Sequence, residues 1–348
     1  MRQMMILAAV LIALSIPVQG MEFTAPPAPS QVAQAVPEKA DSFGEGLWNV
    51  LTYAMQRWNP SLHEAMGVCL RTAAMVLLCG IVRQIAPSMS GRTMELAETV
   101  GVSMALLEPS ASLIQLGVQT VQELSEYGKL LFPVMTGALA AQGGITSSTA
   151  LYTGTALFDS LISTGICKLI VPMIYLYLAL SIANSALQID LLGSMKAFLR
   201  WAMVWSLKLG LYLFTGYMAV TGVVSGSTDT AALKAAKITI SGAVPVIGGI
   251  LSDASEAVLV GAGVMRSAAG VYGVLTILAL FAGPFIRLGV QYLLLKGLGA
   301  LCGSLSPNAS AKLVGDFSGV MGILLAMVST QSVLLLISTV CFMKGVGV

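Results

Sequence analysis

Charge is scarce in this chain. Only 10% of its 348 residues are Asp, Glu, Lys or Arg, where a soluble domain carries about 25%. A water-facing shell cannot be built from so few polar side chains, so a soluble globular domain is excluded. A disordered chain and a coiled coil need abundant charge and are excluded too. Neither sign dominates: 18 Lys and Arg stand against 16 Asp and Glu, a net charge of +2, which offers no electrostatic footprint for nucleic acid. Histidine occurs once, as His63, without the second histidine that a zinc protease needs. The cysteines (Cys69, Cys79, Cys167, Cys302 and Cys341) are scattered without a C-x-x-C, and they read as buried thiols rather than disulfides or a metal site. No P-loop and no G-x-S-x-G elbow occurs. No catalytic, metal or cofactor residue is therefore expected, and a membrane-embedded enzyme ranks last among the readings.

What is abundant is apolar: 56% of the residues are hydrophobic and mean hydropathy is +0.87. The 36 glycines suit close helix contacts in lipid. The expected fold is an all-α polytopic transmembrane bundle. Full spans are expected at 66–86, 97–118, 169–189, 201–223, 271–294 and 319–343. Two further apolar regions are interrupted. Leu130 to Ile166 is broken at Gly143-Gly144, and Ile238 to Ala269 is broken by Asp253 and Glu256. Each half is short for a span, so both regions read as broken or re-entrant hairpins, which need cover from protein or a water-filled cavity.

Ahead of the bundle, Arg2 precedes an apolar run from Ile6 to Ile16, with small residues near Gly20. Residues 1–20 read as a signal peptide, the alternative being an uncleaved anchor. Residues 21–44, with several prolines, read as an external linker. Residues 45–64 carry Trp48, Tyr53 and Trp58 and read as an amphipathic stretch at the membrane interface. Residues 65–348 form the membrane domain. With the mature N-terminus outside, most loop Lys and Arg, including Arg83, Arg92, Lys196, Arg200, Lys296 and Lys312, fall inside.

The two interrupted regions resemble each other. Pro133 to Leu139 aligns with Pro245 to Leu251 at an offset of 112, and the same offset pairs Pro172 with Pro284. Chance matching between Gly- and Ala-rich apolar sequences is the alternative. A repeat of 133–180 in 245–292 would make Pro133, Pro172, Pro245 and Pro284 hinges, and Gly137 and Gly249 close helix contacts, with Pro133 and Pro245 each opening a hairpin at a helix's first turn. Repeated broken helices are a recurrent transporter architecture. Charges within apolar runs are the other clue, since each costs at least about 2.5 kcal/mol at the bilayer centre unless paired or hydrated. Glu108, Asp159, Lys208, Asp253 and Glu256 are candidates for a polar pathway or a partner-facing seam. The alternatives are ion pairing inside the bundle and snorkelling at span ends. Lys208 lies mid-span and is expected to meet a carboxylate or water.

Around Lys234, Lys237, Gly242 to Glu256, and Gly261 to Gly263, with Pro172 and Ala183 to Ser185, the chain resembles the stage III sporulation protein AE family from about residue 45 onward. That resemblance implies a multi-pass protein of the mother cell-derived outer forespore membrane. It implies partnership with the other stage III A-operon proteins and a forespore stage II protein Q, in a channel or feeding apparatus needed for forespore development after engulfment. It implies no catalytic residues. A non-transporting platform for assembly of ring proteins, and a stand-alone secondary transporter, remain alternatives.

Overall fold

The computed structural model describes residues 26–33, 35–36, 43–85, 91–243, 248–305 and 309–344, without the side chains of 83–84, 91, 222–266, 304–305 and 309. The expected signal peptide, Pro245, and the side chains of Asp253 and Glu256 lie outside what is described.

The elements are α1 (Phe43–Ile85), α2 (Gly91–Ala141), α3 (Ile145–Gly165), α4 (Val171–Leu187), α5 (Asp190–Ala243), α6 (Gly248–Leu305) and α7 (Ala309–Lys344). A π-helical turn, Ile166–Ile170, joins α3 to α4, so these seven helices make six rods. No strand occurs among the described residues. Lipid offers backbone groups no partner, so a chain this apolar must satisfy them within helices. The six rods are each long and apolar enough to cross a membrane, and each expected span overlaps one of them, 169–189 running two residues past Leu187. The chain is an all-α, multi-pass membrane protein.

The rods exceed what a bilayer requires. α2 has 51 residues, about 76 Å at 1.5 Å per residue, against a hydrocarbon core of about 30 Å. The first expected hairpin is consequently not a separate re-entrant element. Its legs are the continuous ends of α2 and α3, and the chain reverses at the Gly143-Gly144 break foreseen in the sequence. Gly143 there adopts φ 85°, where a Cβ would be strained. α5 and α6 likewise extend the neighbouring spans on either side of 244–247.

Proline placement departs from the repeat expectation. Pro133 lies well inside α2 and Pro284 inside α6, so Pro133 does not open a helix. Each proline removes one hydrogen bond, which a helix packed among neighbours tolerates. Among the described prolines of the expected repeat, Pro172 alone sits at a helix start, at the first turn of α4. Its ring would meet the carbonyl of Lys168, four residues back. The π turn occupies that stretch, widening the helix where the clash would fall.

Successive rods alternate in direction. α7 is the most enclosed span and touches α2, α3, α4, α5 and α6. Its fully buried Leu313, Phe317, Met321, Leu324, Met327 and Leu335 centre the core. α1 and α5 lie at the periphery. α5 exposes Phe198, Trp201 and Trp205, whose rings follow one another with centroids 5.9 Å apart at each step, the first pair tilted and the second stacked. The expected interfacial stretch 45–64 is the first half of α1. It runs beside α6, Gly46 facing Leu275 and Glu64 facing Arg287, instead of lying separately. Part of the expected linker is also packed: Val32, Ala35 and Val36 are buried, the Ala28 N–H donates to Tyr272 Oη (3.0 Å), and Tyr53 Oη donates to the Gln31 carbonyl (3.3 Å). The i, i+3, i+4 spacing of those apolar residues gives the segment one face to bury.

Candidate functional site

α7 carries a series of polar side chains through an otherwise apolar core, and they are met by side chains of α2, α3, α4 and α5. Near its N-terminal end, Ser310 Oγ donates to Glu98 Oε1 of α2 at 2.6 Å, both residues being buried. Asp316 follows. It accepts from Tyr177 Oη of α4 at 3.1 Å and pairs with Lys196 Nζ of α5 at 2.5 Å. Asp316 and Lys196 side chains are only 14% and 16% exposed, so the ion pair is largely shielded and the two charges cancel within the protein.

About four turns further along α7 lies Gln331, fully buried. Its Nε2 is 2.5 Å from Asp159 Oδ1 of α3, and Ser125 Oγ of α2 donates to Asp159 Oδ2 at 2.6 Å. Asp159 is 2% exposed. No Lys, Arg or His among the described residues forms an ion pair with it. Two turns beyond, Ser338 and Thr155 of α3 share a buried hydrogen bond of 3.1 Å. Asp316, Gln331 and Ser338 recur at near-integral helical turns and so share one face of α7. The result is a polar seam through the bundle, in which hydroxyl, amide and carboxyl groups satisfy one another where water is scarce.

A second polar feature lies between α1, α2 and α6, beside Gln31 and Val32. It is a cavity of about 240 Å³ whose walls include Arg57, Glu64, Glu123, Pro284 and Arg287. Arg287 pairs with Glu64, and Gln31 Nε2 donates to Glu123 at 3.0 Å. Pro284 has no N–H to offer the Leu280 carbonyl four residues back, and Leu280 lines the same cavity.

Of the charges singled out in the sequence, the structure brings Asp159 into the seam. Glu108 is exposed on α2. Lys208 is exposed on α5 and meets no carboxylate among the described residues. Its expected partner is unnecessary, because a lysine stem can carry the ammonium along an apolar surface toward the headgroups. Arg71 is exposed, with Nε 3.3 Å from the Gly67 carbonyl. Pro133 and Pro172 are exposed and Gly137 half-buried, while Gly249 lies in the first turn of α6. Pro133, Pro172 and Gly137 are absent from the hydrogen bonds of the seam. The sequence reading overlooked Asp316, which stands three residues before the expected last span. It also overlooked Gln331, though Gln331 is the one amide within residues 319–343 and could have been found that way.

Residues 41–345 match the family described as Stage III sporulation protein AE. A curated relative, Stage III sporulation protein AE of Bacillus subtilis (strain 168), is 24% identical over 174 residues. That match covers 50% of this chain and 44% of the relative, so it spans less than half of the relative's length. No solved structure matches the chain.

Proposed function

Because this chain belongs to the stage III sporulation protein AE family, and so acts in sporulation, we propose that it is a membrane subunit of a mother cell–forespore channel or feeding apparatus. It would sit in the outer forespore membrane and support the forespore after engulfment. The other stage III A-operon proteins and a forespore stage II protein Q would be its partners. It is not proposed to be an enzyme. The observation that supports the conducting role is the polar seam: buried Asp159, Gln331, Thr155 and Ser338 are hydrogen-bonded at the contacts of α7 with α2 and α3. Polar groups inside a membrane bundle are expensive and commonly mark a path for solute or protons.

A second reading is a non-transporting platform for ring proteins. The length of the rods favours it, since helix ends reaching beyond the hydrocarbon offer protein surface outside the bilayer. Both readings place the chain's work after engulfment. Deleting its gene in its own host should leave engulfment complete under the microscope and abolish heat-resistant spores. A deletion strain with a normal heat-resistant spore count contradicts the proposal.

A further inference from the structure

We propose that Asp159, Gln331 and Ser125 form a site for one monovalent cation, a proton or a sodium ion in its place. The inference deepens the conducting role proposed above by naming what the seam binds.

The argument begins with charge. Asp159 is 2% exposed and its two hydrogen-bond partners, Ser125 and Gln331, are neutral. An ionised carboxylate so placed lacks the cation that burial demands. The contrast with Asp316 is internal to the same seam, since Asp316 has Lys196 at 2.5 Å. The surroundings supply only Lys129, which acts on Asp159 electrostatically from an exposed position and forms no ion pair with it among the described residues. On α2, Lys129 and Glu126 are exposed and Tyr127 is buried. On α5, Lys208 is exposed. α7 has no charged residue between Asp316 and Lys344. The missing positive charge is therefore one that comes and goes.

The amide supplies the second observation. Gln331 is fully buried, and its Oε1 has no partner among the described residues. Oε1 shares a carbon with the Nε2 that touches Asp159, so an unused oxygen acceptor stands beside the carboxyl. The two ends of an amide are alike in shape. Rotated about Cγ–Cδ, the amide presents Oε1 instead of Nε2 to a carboxylic O–H of Asp159. Alternatively, the carboxylate, Oε1 and Ser125 Oγ present hard oxygens to a sodium ion. Binding either cation makes the node neutral; losing it leaves a buried anion, which favours rearrangement at the junction of α2, α3 and α7.

Dicyclohexylcarbodiimide, an apolar reagent, tests this on the purified full-length chain in sodium-free detergent solution. It reacts with the protonated acid: the carboxyl oxygen bonds to the carbodiimide carbon and the acid proton passes to its nitrogen. Mass spectrometry should find the adduct on Asp159 at acid pH, decreasing as the pH is raised, and lost in D159N. Slower labelling on adding sodium chloride, but not potassium chloride, identifies sodium as the occupant; labelling indifferent to sodium identifies the proton. D159N should unfold at nearly the wild-type temperature, because a neutral amide suits a site built for a neutral node. An Asp159 that stays unmodified at every pH overturns the proposal. So does labelling that appears only in K129M, which would make Lys129 the permanent partner.

Discussion

At the scale of single residues, the bundle is least forgiving where a glycine meets a ring. A Cβ on Gly154 would lie 1.9 Å from Tyr217 Cε1, and Tyr217 is held by its hydroxyl donating to the Ala150 carbonyl at 3.1 Å. Gly154→Ala should therefore lower stability by roughly 1–3 kcal/mol through overpacking. Gly80→Ala, with nothing within 4 Å, should be neutral or gain up to about 1 kcal/mol of helix propensity. Thermal unfolding of both variants in detergent checks the contrast. The shielded ion pair gives a second test. Lys196→Met leaves Asp316 without its cation and should cost roughly 1–3 kcal/mol. The double change Lys196→Met with Asp316→Asn should recover part of that loss, because no buried charge is then left alone. A double-mutant cycle measures the recovery, and equal additive losses would show that the pair is not coupled.

At the scale of elements, turns and bends were more legible than extents. The reversal at Gly143-Gly144 could be read from the sequence because two glycines interrupt an apolar run. Gly143→Ala should cost about 1–2 kcal/mol, since φ 85° is left-handed backbone that an alanine resists; an unchanged unfolding temperature would deny that conformation. Helix lengths were not legible. Hydropathy marks the portion of a helix that suits lipid, and is blind to the continuation of α2 and α3 into less apolar stretches packed on one another. Asp159 was visible as a charge in an apolar run. Its partners were not, because Ser125 and Gln331 are separated from it by 34 and 172 residues and neither carries charge. Pro133 misled for a related reason. A proline signals a helix start in isolation, yet α2 continues through Pro133, whose neighbours Leu131, Phe132 and Met135 are buried and hold the helix in place.

For the whole molecule, the order of rods fixes relations that the sequence could only suggest. Six rods alternating in direction place residue 43 and Lys344 at the same end of the bundle. Reporter fusions after Lys344 should accordingly report the side occupied by the start of α1, and opposite sides would require one rod not to cross. The central claim is that the polar face of α7 is a path open to water in the working assembly. Single cysteines at Gln331 and Ser338 in a cysteine-free chain, exposed to a small charged thiol reagent in sporulating cells, test it most directly, with a cysteine at Leu70, exposed on the apolar span of α1, as control. The account predicts that both seam positions are labelled in cells that carry the full set of partner proteins, while the Leu70 position is not. Protection of both seam positions, in chains that still restore heat-resistant spores, would contradict it and leave the platform.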